Sequence, residues 1–311
     1  MRTIRLSVLV LLFAAGLLGC DTTATQPERQ VVVEAYLVGG APLPKIRLTH
    51  SVDTDQSYTP AEDAVENARV EVRRLASDGD APDTTAYAET KPGVYRPDTP
   101  SPPIVKPLTT YELSVRTGDG TSLTATTTVP DTISIVKTEN ERVVYQGSAQ
   151  PRFTITPPRS AREGQAVLVL TTTSQLDFGR PESQLRRRLT PFYKDDYNLE
   201  EDDIKPLRTT SSGILNEANF TQDAAGRITT KLPWISVAFY GPNSAAVHVI
   251  DDNLYDMIRS QQAQAAGGQG NGLGPGEIPN VIEHVKGGTG IFGSYVRDST
   301  SIFVQRPSGS Q

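Results

Sequence analysis

Tyr111-Glu-Leu-Ser-Val-Arg-Thr117, Gly118-Asp-Gly120 and Thr121-Ser-Leu-Thr-Ala-Thr-Thr-Thr-Val129 run without a break, and their reading decides the fold. Tyr111, Leu113 and Val115 alternate with Glu112, Ser114 and Arg116, and Leu123 and Ala125 continue the alternation after the glycines. A period of two puts one set of side chains on a buried face and the other on a wet one, the mark of a half-buried strand. Gly118-Asp-Gly120 supplies the residues a tight reversal demands. The stretch predicts an antiparallel hairpin, and Pro130-Asp131 closes it, which places a boundary near residue 130.

Working back from the hairpin, strand patterns fall at 31–38, 45–49, 68–75 and 93–96, spaced as in a sandwich. Working forward, strands are expected at 132–137, 142–145, 152–156 and 166–173. The pattern fades between Gln175 and Asp223, a stretch with Arg186-Arg187-Arg188, an acidic run and a Ser/Thr-rich segment, so long irregular excursions are expected there. Residues 234–240 and 245–250 read as strands joined by a turn at Gly241-Pro-Asn-Ser244. Asn253 can cap a helix from Leu254 to about Ala265, a loop follows through 266–280, and 291–295 and 301–305 supply closing strands.

The expected fold is mostly β, with two β-sandwich-like domains at 31–130 and 131–311 and one short helix in the second. Composition agrees. Of 311 residues, 23 are proline and 25 glycine, which favours strands and turns over long helices, and 37% hydrophobic content is enough for packed cores.

The first nineteen residues have the anatomy of a secretory signal peptide: basic Arg2 and Arg5, an apolar run from Leu6 to Leu18, and small Gly19 before Cys20. That run is shorter than the roughly 20 residues a bilayer crossing needs. Leu17-Leu-Gly-Cys20 resembles the lipobox of bacterial lipoproteins, which implies lipidation of Cys20 as the new N-terminus and a polar tether over 20–30. Cys20 is the only cysteine, so disulfides and multi-cysteine zinc sites are excluded. Loss of Arg2 and Arg5 takes the formal charge of −6 to −8, a balance that repels phosphate backbones, so no nucleic acid partner is expected.

Val31-Val-Val-Glu-Ala-Tyr-Leu37, Lys45-Ile-Arg-Leu-Thr-His-Ser51, Val65-Glu-Asn-Ala-Arg-Val-Glu-Val72 and Gly93-Val-Tyr95 together resemble the start of the DUF4249 lipoproteins of Bacteroidota. Pro279-Asn-Val-Ile282 and Gly288-Thr-Gly-Ile-Phe-Gly293 continue the likeness more loosely. The resemblance implies an envelope lipoprotein often found beside TonB-dependent outer-membrane transporters. It also implies a first domain like the transthyretin or carboxypeptidase-regulatory sandwich, and it brings no catalytic residues.

Candidate chemistry is sparse. Gly288-Thr-Gly-Ile-Phe-Gly293 has the spacing of a dinucleotide loop, but strand-like Ser294-Tyr-Val-Arg297 follows where a helix is needed, so a β-turn or bulge is the better reading. Ser134-Ile-Val-Lys137 matches Ser-x-x-Lys, yet in a strand that spacing sends the two side chains to opposite faces. His50, His248 and His284 lack ligand spacing and read as surface or sheet residues. Asp195, Asp196, Glu200, Glu201, Asp202 and Asp203 could offer oxygens to calcium, but the calcium-loop spacing is missing and a solvated loop is preferred. Asp21-Thr-Thr23, Asp83-Thr-Thr85, Asp131-Thr-Ile133 and Asp298-Ser-Thr300 resemble short O-glycosylation sites.

No cofactor, metal or catalytic residue is expected. The sequence points to a non-enzymatic binding or accessory lipoprotein of the outer membrane, with a TonB-dependent transporter as candidate partner. A structural or adhesive surface protein is the alternative, and a hydrolase assembled from distant residues is the second.

Overall fold

The hairpin is where the alternation puts it: β6 (Thr110–Arg116) pairs antiparallel with β7 (Ser122–Thr128), Leu113 opposite Ala125 and Val115 opposite Leu123. Tyr111, Leu113, Val115, Leu123 and Ala125 are buried, and the Tyr111 hydroxyl keeps a polar contact by accepting from the Lys106 N–H at 2.8 Å. At the reversal Gly120 has a φ of +94°, and the Thr117 N–H closes the loop on the Thr121 carbonyl at 2.9 Å. Asp119 accepts from the Thr117 hydroxyl and the Thr121 N–H, and these bonds hold its carboxyl below the usual carboxylate range.

The computed structural model describes residues 29–52, 56–75, 83–158, 166–196, 204–216, 220–267, 282 and 284–308. The expected signal peptide, Cys20, most of the expected tether, Asp21-Thr-Thr23, Glu200 to Asp203 and nearly all of the loop at 266–280 lie outside the described residues, as do the side chains of Asp195 and Asp196.

The fold is mostly β and consistent with a β-sandwich. From the hairpin one sheet runs through β3 (Arg69–Arg74), β4 (Asp83–Lys91), β5 (Val94–Pro97) and β2 (Ile46–His50) to β1 (Val31–Val38). There it continues, because β1 pairs in parallel with β17 (Thr289–Gln305), and β17 pairs with β15 (Gly241–Ile250), then β11 (Val167–Ser174) and β12 (Thr209–Asn216). β9 (Arg142–Val144) adds to the far end of β17, and β16 (Val285–Lys286) to β7. A second sheet of four strands holds β13 (Thr221–Gln222), β14 (Ile228–Lys231), β10 (Arg152–Ile155) and β8 (Ile135–Glu139). Sheet and core both span residue 130, where the sequence placed a boundary: Val33, Leu48, Leu113, Phe153, Leu168, Val247 and Val304 share one buried cluster. Each such fully buried apolar side chain contributes about 1.5–3 kcal/mol.

Several local readings are corrected. Residues 175–223 are not bare loop: α1 (Glu182–Arg186), α2 (Pro191–Asp196) and a 3-10 turn over Lys205–Arg208 are held by the cluster of Leu185, Leu189, Tyr193, Ile204, Leu207 and Phe239, and β12 pairs with β11. Residues 234–240 form a 3-10 turn at Trp234–Ser236 and a single bridge of Phe239 to Leu189, because Val237 through Tyr240 are buried one after another and show no alternation. Gly241-Pro-Asn-Ser244 opens β15 instead of turning. Pro242 is tolerated because it sits where β11 ends, and its carbonyl still accepts from the Gln175 N–H at 3.0 Å. The two closing strands are one, β17, and β4 went unread because only Tyr87 of its nine residues is buried.

The expected helix is α3 (Asp252–Gly267), which covers the outer face of the sheet through Leu254 against Val167, Val169, Ile250 and Ile291. Its cap is Asp251, not Asn253: Asp251 Oδ1 accepts from the Leu254 N–H at 3.0 Å. The Asn253 amide instead donates to the carbonyls of Thr126 (2.6 Å) and Phe292 (2.8 Å), which ties the helix start to β7 and β17.

Candidate functional site

Three arginines from two distant segments meet where α1 ends and β17 runs out. Leu185 and Leu189 are both buried and fix the ends of the Arg186-Arg187-Arg188 turn. Its backbone is clamped as well, since Arg188 N–H donates to Leu185 O (2.8 Å) and Tyr240 N–H to Arg188 O (2.8 Å). With main chain and flanking leucines committed inward, the side chains of Arg187 and Arg188 are left exposed. Arg306, just past β17, donates through Nη2 to the Arg187 carbonyl.

These arginines line a cavity of about 630 Å³ together with Tyr240, Phe303 and Ser308. A neighbouring cavity of about 560 Å³ shares Arg187 and Arg188 and adds Arg180, itself 3.6 Å from Asp177. Aromatic faces set the geometry of the first. The Arg306 guanidinium lies 5.1 Å from the Tyr240 ring centre, Tyr240 meets Tyr145 edge-on at 5.7 Å, and Tyr145 meets Trp234 at 5.1 Å. At the Phe303 wall, Arg142 stacks 4.3 Å from the ring centre. Stacking on a ring face holds a guanidinium plane while its N–H edge stays available to a ligand. Among the described residues lining this cavity there is no carboxylate and no imidazole, and no ion pair engages Arg187, Arg188 or Arg306. Arginine stays protonated at any physiological pH, so these three side chains can bind and orient an anion.

The other polar clusters serve the fold. Asp251, Thr127 and Ser294 are buried together under α3: the Thr127 hydroxyl meets Asp251 Oδ2 and Ser294 Oγ (2.7 Å). Burial pushes the Asp251 carboxyl up to about 6 against the hydrogen bonds from Thr127 and Leu254. Gly293 permits this packing, since a Cβ there would lie 2.6 Å from Leu254 Cγ.

The histidines are not brought together. His50 ends β2, His284 pairs with Asp256 at 2.9 Å, and His248 shares a 2.9 Å hydrogen bond with Thr171. Burial, and then the Arg297 charge, push the His248 imidazole down to about 4. Lys137 is 2.5 Å from Glu139 in β8, while Ser134 precedes the strand. The glycine motif lies at the start of β17: Gly290 has a φ of +106°, and a Cβ there would stand 2.1 Å from Val33 O. Gly288 and Gly290 admit β1, and Gly293 admits Leu254 of α3. Among the described residues no group of three or more His, Cys, Asp or Glu side chains is placed to hold a metal, and no helix is long and apolar enough to cross a membrane.

The arginine cavity was missed from sequence, where Arg186-Arg187-Arg188 drew notice only as part of an irregular stretch. Three consecutive arginines in a chain of net charge −6 were the available signal. Nothing in the sequence joins them to Arg306.

A family model described as Domain of unknown function (DUF4249) matches residues 20–301. No curated protein matches the chain. Among solved structures, the chain is similar to one titled as the crystal structure of a tetra-tandem repeat in the extending region of a large adhesion protein. Identity is 12%, with 89% of this chain and 49% of that one covered and a TM-score of 0.21. This chain thus spans about half the length of that structure.

Proposed function

Since the chain belongs to the DUF4249 family, a domain of unknown function matched over residues 20–301, we propose that it is a non-enzymatic binding or accessory module of the cell envelope. The arginine cavity carries this reading: three permanently charged donors, one of them stacked on Tyr240, without a carboxylate or imidazole among the described lining residues, suit recognition of an anion. The lipobox-like Leu17-Leu-Gly-Cys20 supports an anchor: a diacylglycerol on Cys20 holds the body at the outer membrane, and the tether to residue 30 lets it reach a neighbour. A TonB-dependent transporter is the proposed neighbour.

Crosslinking in intact cells, followed by pull-down of the full chain from membranes, tests the partner. Reproducible recovery of an outer-membrane transporter supports the reading. Repeated recovery of none counts against it. Deletion that impairs attachment while sparing nutrient uptake moves the assignment to an adhesive role.

A further inference from the structure

We propose that the cavity at the Arg187-Arg188 turn binds a compact oxyanion, a phosphate or carboxylate group on a small ligand; this rests on the binding-module reading and names the chemistry of its site. Segments separated by 119 residues in sequence are joined by the bond from the Arg306 guanidinium to the Arg187 backbone carbonyl, so the cluster is built by the fold and is not an accident of a basic stretch. Arg306 lies over Tyr240 with Nη2 donating to the Arg187 carbonyl, so the direction of its remaining N–H groups is set and these can pair with oxygens of an anion. Arg187, Arg188 and Arg306 carry like charges without a carboxylate among the described lining residues, and an entering oxyanion relieves that mutual repulsion.

Size and charge balance narrow the ligand further. About 630 Å³ falls within the roughly 300–1,000 Å³ of ordinary small-ligand sites. The whole chain is net −6, so an extended polyanion laid across it meets repulsion outside the cavity, whereas an anion of one or two charges does not. Screening over about 8 Å at physiological salt leaves the local arginines dominant for a group already inside.

Trp234 provides the readout. It is the only tryptophan, and it connects to the cavity through Tyr145 and Tyr240. Purified full chain is titrated with inorganic phosphate, and separately with succinate, up to about 20 mM at ionic strength held constant with sodium chloride, by fluorescence and by calorimetry in parallel. That range saturates a site with a dissociation constant near 1 mM. A saturable signal is expected with at least one probe, the stronger one telling phosphate from carboxylate. Arg188→Gln and Arg306→Gln should each weaken it about tenfold or more, Arg306→Lys less, and Arg96→Gln on β5 not at all. Circular dichroism confirms that each variant is folded.

Flat calorimetric and fluorescence titrations with both probes, or equal loss in Arg96→Gln, overturn the proposal. Flat titrations leave the binding-module reading standing, because that is decided by recovery of a membrane partner.

Discussion

Replacing Asp251 with asparagine should stabilise the protein at neutral pH and leave it nearly unchanged in acid. The Asp251 carboxyl is buried beneath α3, and its pKa rises from an ordinary 3.8 to about 6. Between those values the folded protein keeps a proton that the unfolded chain releases, so folding stability falls as pH rises. At about 1.4 kcal/mol per pH unit the loss amounts to about 3 kcal/mol, complete above about pH 6. Asparagine does not ionise, still offers Oδ1 to the Leu254 N–H, and is as good a helix cap as aspartate. Its Nδ2 can donate to Thr127 Oγ1, whose own proton then goes to Ser294 Oγ, so every partner stays satisfied.

Urea unfolding of both proteins at several pH values between 4 and 8 measures the gap. It should open from within about 1 kcal/mol at pH 4 to about 2–3 kcal/mol at pH 7 in favour of asparagine. The difference matters more than either curve. His248 has the opposite sign, its neutral form contributing fully above 6.5 and losing that contribution as pH falls toward about 4. In the parent protein the two groups offset one another through mildly acid pH; in the comparison His248 cancels. A gap that does not vary with pH, or that closes as pH rises, refutes the reasoning.

Gly290→Ala should destabilise by about 3 kcal/mol or more, since its Cβ collides with Val33 O at the β1–β17 pairing, and unfolding should show this directly. Gly120→Ala, strained at φ +94° but with open space around it, should cost only about 1–2 kcal/mol. Leu168→Ala removes a wholly buried side chain from the shared core and should cost about 2–5 kcal/mol by the same assay. In proton NMR the His248 ring signals should titrate with a midpoint near 4; a midpoint at 6.5 would show that the imidazole is solvated.

Legibility in the sequence followed how strictly burial alternated. The 111–129 hairpin was readable because each buried residue is flanked by polar ones on a ladder with wet backs. Residues 234–240 are as apolar, yet the burial of Val237 through Tyr240 one after another leaves no period to distinguish a strand from a buried turn. Asp251 takes the capping role expected of Asn253 because both can cap, and only the positions of Thr126 and Phe292 decide between them. The arginine cavity is the extreme case: local sequence holds half of it, and the β15–β17 pairing brings in the rest.

The proposed lipid anchor on Cys20 underlies the placement of every surface described, and metabolic labelling with a palmitate analogue tests it most directly. Acyl label on the wild-type chain, and loss of both label and membrane retention in Cys20→Ala, is the predicted result. Membrane retention unchanged in Cys20→Ala, with no label on the wild type, contradicts the account.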